Sequence, residues 1–376
     1  MSGSIKLNIL VTGADGFVGK NLCTKLSEQG DVRIIKYLRG DSDANLEEKL
    51  KRADFLVHLA GENRPLSDDL FHLVNEGLTR KISEILSSLG SRIPVIFASS
   101  SQANLDNAYG KSKVGAENIL KSLSKKNGNP VAIYRLNGIF GKWCKPNYNS
   151  VVATFCHNIA NGIPVEISDS TRSVSLVYID DVVDSFLNKI RCPNLGIAEC
   201  SIETFYEIKL GELAEQITAF DNCRMSLVSE RVGVGFSRAL YATYVTYLPV
   251  EKFHYEIPMH LDERGVFVEM LKTHDTGQFS FFTAKPGITR GGHYHHSKTE
   301  KFLVIKGVAE FGFRHILTND RFSLTASGDK SIVVETVPGW THDITNIGNQ
   351  ELIVMLWANE IFDRDKPDTI PCKVQV

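Results

Sequence analysis

The sequence lacks several features that define large classes of proteins. No apolar run approaches the ~18–20 residues that a helix needs to cross a bilayer, and the first residues contain no apolar core of a signal peptide. The seven cysteines are scattered and form no Cys-x-x-Cys pair, which is typical of a reduced cytosolic protein. The net charge is −2 and basic residues form no block. We therefore expect a cytoplasmic protein that binds neither a membrane nor nucleic acid.

The chain has enough apolar residues to bury more than one core. Its 376 residues are 43% hydrophobic, and at roughly 100–200 residues per domain this length predicts two or three domains. Up to about residue 190, strand and helix patterns alternate, which favours a Rossmann-type, doubly wound parallel sheet of the α/β class. From about residue 253, β-branched and aromatic segments alternate with turn residues, which favours an all-β sandwich or barrel.

We place the domain boundary between about residues 245 and 258. The predicted domains are residues 1–250 and residues 251–376. Within the first domain, residues 223–250 show no clear pattern and are not assigned.

Three glycines follow the first predicted strand and open a helix. Gly13-x-x-Gly16-x-x-Gly19 has the spacing that permits a tight turn and lets the backbone approach a pyrophosphate at a helix N-terminus. In this strand–turn–helix context, the motif predicts a dinucleotide site.

The end of the second strand bears on the choice of dinucleotide. An NAD site would have an acid there, about twenty residues beyond the glycines. This chain has Arg39 instead, which suits a 2′-phosphate, so we predict NADPH. Asp41 and Asp43 follow closely and leave NADH open.

A tyrosine and a lysine begin a later helix at a spacing that suits proton transfer. Tyr109-x-x-x-Lys113 places both side chains on one helix face. A nearby ammonium lowers the pKa of a phenol, which lets the tyrosine exchange a proton with a carbonyl or an alcohol. The preceding strand ends in Ser99, Ser100 and Ser101, which are placed to orient the substrate oxygen.

These segments together resemble the extended short-chain dehydrogenase/reductase family, whose members act on nucleotide sugars. The resemblance covers residues 5–190 and implies that Ser101, Tyr109 and Lys113 are catalytic, with Ser100 as the alternative serine. Asn63-Arg64 and the segment 176–181 depart from the family pattern. The predicted cofactor site comprises Gly13, Asp15, Gly16, Phe17, Val18, Gly19, Arg39, His58, Leu59, Ala60, Gly61, Tyr109 and Lys113.

Four potential metal ligands stand out in the second domain. His293 and His295 share one face if they lie in a strand, Glu300 follows after a turn, and His342 comes from a distant strand. Three imidazoles and one carboxylate can converge on one divalent ion, and we predict zinc, although this donor set also accepts Fe, Mn, Ni or Cu. Binding should weaken in acid, because the ligands are neutral imidazoles and an ionised carboxylate.

The spacing of these ligands resembles the two motifs of the cupin superfamily, a small jelly-roll barrel that holds a metal in its lumen. The stretch at residues 260–269 is also similar to the opening strands of cupins that isomerise or epimerise deoxy-4-keto sugars on nucleotides. There, Arg264 would face a diphosphate or sugar; otherwise it would pair with Asp262 or Glu269.

The fusion of these two domains resembles bifunctional capsular-polysaccharide enzymes of the CapF type. The resemblance implies a UDP-linked 2-acetamido-2,6-dideoxy-4-hexulose, a 4-keto-6-deoxy amino sugar, as the substrate. The cupin domain would invert C3, and the reductase domain would use NADPH to reduce the C4 ketone. The product would be UDP-N-acetyl-6-deoxy-L-talosamine, a precursor of N-acetyl-L-fucosamine in capsule or O-antigen synthesis. We also expect a homodimer.

Two questions stay open at the level of sequence. The base for the C3 proton would be Lys298, Lys301, His296 or a metal-bound water. The cupin domain could instead be a structural module for dimerisation. A third interpretation, an inactive sugar-nucleotide sensor, is disfavoured by the intact catalytic triad.

Overall fold

The structure is a computed structural model that describes residues 6–65, 67 and 69–375. It has two compact units. The first comprises the chain up to Ile217 together with Ala239–Leu248, and the second comprises Thr218–Arg238 and Pro249–Val376. Residues 218–238, which the sequence prediction placed in the first domain, therefore belong to the second unit.

The first unit contains alternating strands and helices. Its strands are β1 (Leu7–Thr12), β2 (Val32–Tyr37), β3 (Phe55–His58), β4 (Val95–Ser100), β5 (Val131–Leu136), β6 (Gly138–Phe140), β7 (Ser173–Tyr178), β8 (Ile197–Cys200) and β9 (Tyr206–Lys209). The α-helices in the described part of the chain are α1 (Phe17–Ser27), α2 (Asp43–Arg52), α3 (Asp69–Phe71), α4 (Gly77–Ser88), α5 (Ala108–Asn127), α6 (Val151–Ala160), α7 (Ile179–Arg191), α8 (Leu210–Ser226) and α9 (Gly235–Val245).

The main sheet of the first unit is parallel and has the order β2-β1-β3-β4-β5-β8. Its central strands are continuous apolar runs, such as the fully buried β3, because a parallel sheet is covered on both faces. Separate apolar clusters pack on the two faces. The strand order reverses between β1 and β3, and the carboxyl edge at such a reversal is where open α/β sheets bind ligands.

Helix α9 lies within the stretch that the sequence left unassigned. Its sequence ends in Thr243, Tyr244 and Val245, residue types with only moderate helix propensity. Tyr244 and Leu240 are nevertheless buried, so tertiary packing rather than local preference determines this helix.

The second unit is predominantly β. Its strands are β10 (Val228–Ser229), β11 (His260–Asp262), β12 (Gly265–Thr273), β13 (Gly277–Ala284), β14 (Thr289–Tyr294), β15 (Glu300–Lys306), β16 (Val308–His315), β17 (Arg321–Ser327), β18 (Val333–Glu335), β19 (Trp340–Asn346), β20 (Leu352–Ala358) and β21 (Ile370–Pro371). One sheet has the order β10-β12-β13-β20-β15-β18, with β11 beside β12, and the other has the order β17-β16-β19-β14-β21.

An apolar core lies between these two sheets. Every second residue of β20 is buried, as expected for strands with one face inward. Phe302 from one sheet and Phe311 from the other pack with ring centres 5.9 Å apart. The predicted fold class, a doubly wound parallel sheet followed by an all-β domain, is confirmed. Among the described residues, no helix is both long and apolar enough to cross a bilayer.

Candidate active site and metal centre

A cleft of about 560 Å³ opens in the first unit, where the loops after β1, β3, β4 and β5 meet. Many of the predicted cofactor and catalytic residues line it: Gly13, Asp15, Gly16, Phe17, Val18, Gly19, Leu59, Gly61, Ser101, Tyr109 and Lys113. Three predicted residues, Arg39, His58 and Ala60, are not part of this lining. Ser100, the alternative serine, also lines the cleft.

The glycine turn after β1 leaves room only for glycine. Gly13 has a φ of +69°, and a Cβ at this position would lie 2.8 Å from the backbone nitrogen of Ala60. A Cβ on Gly19 would overlap the Gly13 carbonyl. The close approach exposes the N-terminus of α1 to the cleft, and such a terminus binds phosphate through its free N–H groups.

Among the three serines, Ser100 is the one that affects the Tyr109 phenol. Its side chain lowers the pKa of Tyr109 and accepts the N–H of Gln102 at 3.2 Å. Ser99 is engaged elsewhere, since its hydroxyl donates to Glu117 at 2.6 Å. Ser101 lines the cleft and begins a short 3₁₀ helix. Ser101 stays the predicted catalytic serine, with Ser100 as the alternative, and both line the cleft.

The predicted lowering of the Tyr109 pKa by Lys113 is not what the structure shows. Burial raises the pKa of Tyr109, and the Ser100 hydrogen bond opposes this only in part. Lys113 donates to the Ala98 carbonyl at 2.9 Å, and its Nζ lies 5.9 Å from the centre of the tyrosine ring. Burial lowers the pKa of Lys113 to about 8, because desolvation disfavours the ammonium.

A buried carboxylate, Glu117, lies on the same helix face as Tyr109 and Lys113. Its charge favours the ammonium form of Lys113 and so opposes the effect of burial on the pKa of Lys113. Glu117 is 1% exposed and forms a two-pronged ion pair with Arg135, at 2.9 and 2.6 Å. Burial alone would raise the pKa of Glu117, but hydrogen bonds from Arg135 and Ser99 lower it overall. Sequence reasoning missed this role, although Tyr109, Lys113 and Glu117 recur at intervals of four residues, a helix-face signal.

His58 is buried at the end of β3 and does not line the cleft. It is buried, and its ring nitrogens contact the hydroxyls of Thr12 at 2.7 Å and Thr79 at 3.0 Å. Burial lowers the pKa of His58 to about 3, so the ring is neutral. Thr12 also accepts the N–H of Ala60 at 3.2 Å. His58 and Ala60 thus hold the ends of β1 and β3 together.

Arg39 lies on the surface beyond β2, and its side chain is 88% exposed. It pairs with Glu62 at 2.9 Å, and Glu62 lines the cleft. The two nearby acids that left NADH open have basic partners: Asp41 pairs with Lys49 at 2.5 Å, and Asp43 pairs with Lys81 at 2.8 Å.

The four predicted metal ligands meet in the second unit. His293 in β14 and His342 in β19 are directly paired across neighbouring strands, and His295 follows β14. Glu300 begins β15 in the opposite sheet. One potential ligand atom from each of the four lies within 4.8 Å of the other three. The fold thus brings together residues that are up to 49 positions apart in the sequence (293 to 342).

The geometry and charge states of these side chains fit a divalent ion. The Glu300 Oε2 atom lies 3.1 Å from His295 Nε2 and 3.3 Å from His342 Nε2. Two ligands at ~2.0–2.1 Å from one tetrahedral ion would be roughly 3.3–3.4 Å apart. Burial would raise the pKa of Glu300, but contacts with His295 and His342 lower it well below its usual range. Burial, and then His342, lower the pKa of His293 to about 4, which keeps its imidazole neutral.

Only one of the three side chains named as candidate bases contacts this centre. Lys298 is buried, and its Nζ lies 3.1 Å from Glu300 Oε1. Lys301 is exposed and pairs with Glu335, and the side chain of His296 is exposed.

Arg264 pairs with a neighbour in its own turn. Its guanidinium contacts Asp262 at 2.5 and 2.9 Å. Glu269, the other predicted partner, pairs with Lys272 at 3.0 Å instead.

Two family matches cover most of the chain. Residues 9–196 match the NAD dependent epimerase/dehydratase family, and residues 260–370 match the polysaccharide biosynthesis C-terminal domain. Together with the cleft, the first match defines the class: an oxidoreductase of the short-chain dehydrogenase/reductase type, which implies a nicotinamide cofactor.

Two individual proteins are similar to this chain over nearly its whole length. UDP-2-acetamido-2,6-beta-L-arabino-hexul-4-ose reductase from Pseudomonas aeruginosa is 54% identical over 368 residues, which cover 98% of this chain and 99% of that protein. The crystal structure of the capsular polysaccharide assembling protein CapF from Staphylococcus aureus superposes with a TM-score of 0.91 at 40% identity and covers 98% of this chain and 100% of that one. The chain therefore belongs to the NAD dependent epimerase/dehydratase family and, within it, to the CapF type.

A more distant structure matches part of the chain. UDP-glucuronic acid 4-epimerase from Bacillus cereus, solved with NAD, has a TM-score of 0.55 at 17% identity. It covers 64% of this chain and 98% of that one, and at this identity the likeness shows a shared fold alone.

Proposed function

We propose that this chain is a bifunctional nucleotide-sugar enzyme. Its second unit, as a cupin, inverts C3 of UDP-2-acetamido-2,6-dideoxy-4-hexulose, and its first unit reduces the C4 ketone with NADPH to UDP-N-acetyl-6-deoxy-L-talosamine. The reductase part is supported by the serine–tyrosine–lysine cluster beside the glycine turn and by the 54% identity to the Pseudomonas aeruginosa reductase. We place this reaction in the cytoplasm, as a step towards N-acetyl-L-fucosamine for capsule or O-antigen.

In the reductase cleft, the chain's residues orient the ketone and deliver a proton. When bound, NADPH supplies the hydride. Ser101, or Ser100 as the alternative, would hold the C4 oxygen, and the Tyr109 hydroxyl would donate its proton to that oxygen as negative charge develops. Lys113, one helical turn away, would hold the ribose of the cofactor, since it lines the same cleft with its Nζ 5.9 Å from the centre of the tyrosine ring.

Alanine substitutions separate the two candidate serines. Ser100→Ala should lower kcat by about 10²-fold, the size of effect seen when one positioned donor is lost, because Ser100 contacts Tyr109. Ser101→Ala is the matched control and should retain most of the activity. Steady-state oxidation of NADPH measures both rates. A larger loss in the Ser101 variant would favour Ser101, the serine predicted from the family resemblance.

Arg39 is the residue that we propose to select NADPH over NADH. Its exposed guanidinium is free to turn from Glu62 to a 2′-phosphate, and the nearby Asp41 is held by Lys49. Since a hydrogen bond to a charged group contributes about 1.5–3 kcal/mol, Arg39→Ala should lower kcat/KM for NADPH by about 10- to 100-fold. The same ratio for NADH should change little. Equal losses for both cofactors would contradict this role.

The epimerisation follows from the acidity of carbon next to a ketone. The C4 carbonyl acidifies the C3 hydrogen, and reprotonation from the opposite face inverts the centre. A divalent ion at His293, His295, Glu300 and His342, with zinc as the preferred ion, would act as a Lewis acid towards the ketone oxygen. We propose that Lys298, which is buried at this centre, removes the C3 proton. A water molecule on the opposite face would return a proton to C3.

The outer face of one sheet of the second unit supports a homodimer. Outward residues of such a sheet are usually polar when they face water, but Phe279 is 38% exposed, Ile305 45% and Val333 58%. Exposed apolar side chains on the outer face of a sheet favour an interaction site. Sedimentation equilibrium should show a dimer, and Val333→Glu should shift it towards monomer. A monomeric mass for the unaltered protein would contradict the proposal.

A further inference from the structure

One residue near the C-terminus holds the loop that joins the metal ligands. The carboxylate of Asp368 accepts the backbone N–H of His296 at 2.9 Å, of Ser297 at 2.7 Å and of Lys298 at 2.8 Å. It also accepts the Ser297 hydroxyl at 3.0 Å. These three residues form the connection between His295, which follows β14, and Glu300, which begins β15. The loop conformation therefore depends on a residue about 70 positions away (298 to 368).

The backbone of Asp368 also contacts a ligand directly. Nδ1 of His295 hydrogen-bonds the Asp368 carbonyl oxygen. A carbonyl can only accept, so Nδ1 carries the hydrogen and Nε2 is left as the basic nitrogen. Nε2 is the atom that lies 3.1 Å from Glu300. By contrast, Nδ1 of buried His342 has no hydrogen-bond partner among the described residues.

The tail that contains Asp368 is itself anchored on the sheet of the ligands. Beyond Asp368, strand β21 pairs with β14, and the N–H of Cys372 donates to Gly292 at 2.8 Å. Arg314 is 6% exposed and donates to the carbonyls of Lys373 at 2.7 Å and Val374 at 3.2 Å. Asp368 is therefore held in place independently of the loop that it binds.

We propose that Asp368 is a positioning residue for the metal centre. Its carboxylate fixes the loop between His295 and Glu300, and its carbonyl selects the tautomer of His295. The inference rests on the metal centre of the proposed function. Partners that orient a ligating histidine typically contribute 10- to 100-fold to metal affinity, because they remove the freedom that the ligand would otherwise lose on binding.

Zinc affinity of the full-length protein tests this proposal. Asp368→Ala and Asp368→Asn should weaken zinc binding by about 10- to 100-fold in competition with a chromogenic chelator. Asparagine should not substitute, because its amide N–H groups would face backbone donors. Asp365→Asn, an exposed acid of the same tail, is the matched control and should bind zinc normally. NADPH binding by the first unit should stay unchanged in all three variants.

Two further measurements keep the outcomes distinct. Ring-nitrogen NMR of the metal-free protein should show the His295 tautomer protonated at Nδ1, and a mixture of tautomers in Asp368→Ala. His293→Ala should bind no zinc. Unchanged zinc affinity in Asp368→Ala, with binding lost in His293→Ala, would overturn the positioning role and leave the metal centre intact. If the unaltered protein binds no zinc, the metal centre fails, and this inference fails with it.

Discussion

Tyr109→Phe should lower the rate of NADPH oxidation by about 10²–10⁴-fold, the usual contribution of a positioned general acid. The variant removes one hydroxyl, the group that Ser100 contacts and that faces the cleft. The ring remains and still packs 5.4 Å from Phe71, centre to centre. We therefore expect the cleft to keep its shape and the dissociation constant of NADPH to stay nearly unchanged.

The control for this variant is another tyrosine of the same unit. Tyr134 is buried outside the cleft, and its hydroxyl contacts Ser185 at 3.1 Å. Tyr134→Phe loses the same atoms, so it tests whether a missing phenol hydroxyl alone reduces turnover. Stopped-flow absorbance gives the rate, and fluorescence titration gives the cofactor affinity. Retained turnover in Tyr109→Phe would end the assignment of Tyr109 as the proton donor.

His342→Ala should abolish bound zinc and, with it, exchange of the C3 hydrogen. The side chain is 2% exposed and lies 3.3 Å from Glu300, so its loss removes one of the four potential donors. Full-length protein incubated with the 4-keto sugar in D₂O, without NADPH, should incorporate deuterium at C3. The His342 variant should not. NMR of the recovered sugar measures the exchange, and atomic absorption measures the metal.

His296→Ala is the matched control for the metal variant. His296 lies next to His295, but its side chain is exposed, so zinc content and exchange should stay normal. If zinc-free His342→Ala still exchanged the C3 hydrogen at the normal rate, the metal would have no part in epimerisation. If even the unaltered protein gave no exchange, the second unit would be a structural module, as the second interpretation of the sequence holds.

Tyr109→Phe and His342→Ala also separate the two activities within one chain. Tyr109→Phe should still exchange the C3 hydrogen, because its change lies in the reductase cleft. His342→Ala should still bind NADPH, because its change lies in the other unit. Loss of both functions in either variant would indicate a folding defect rather than a local effect, and thermal unfolding detects such a defect.

Much of the fold was predictable from local patterns. The apolar runs Leu7–Thr12 and Val131–Leu136 predict two strands, and β1 and β5 have these bounds. Strands buried on both faces are continuous apolar runs that end at turn residues. Helix α9 was not predictable, because its apolar residues are mixed with residue types of moderate helix propensity. The assignment of residues 218–238 to the second unit depends on long-range packing that no local window contains.

For the candidate sites too, some features follow from local sequence patterns and others depend on how the chain packs. The sequence by itself determined which residues could do chemistry: Gly13 for a tight turn, Tyr109 with Lys113 on one helix face, and the four candidate metal ligands with their spacing. Backbone geometry and side-chain period determine such patterns locally.

Only the tertiary structure decided which atoms meet. It raises the pKa of Tyr109 by desolvation, which Ser100 opposes only in part, and it buries His58 outside the lining of the cleft. It also brings Asp368 to the loop beside His295. Contacts and desolvation depend on distances through space, and residues far apart in sequence acquire these distances only when the chain packs.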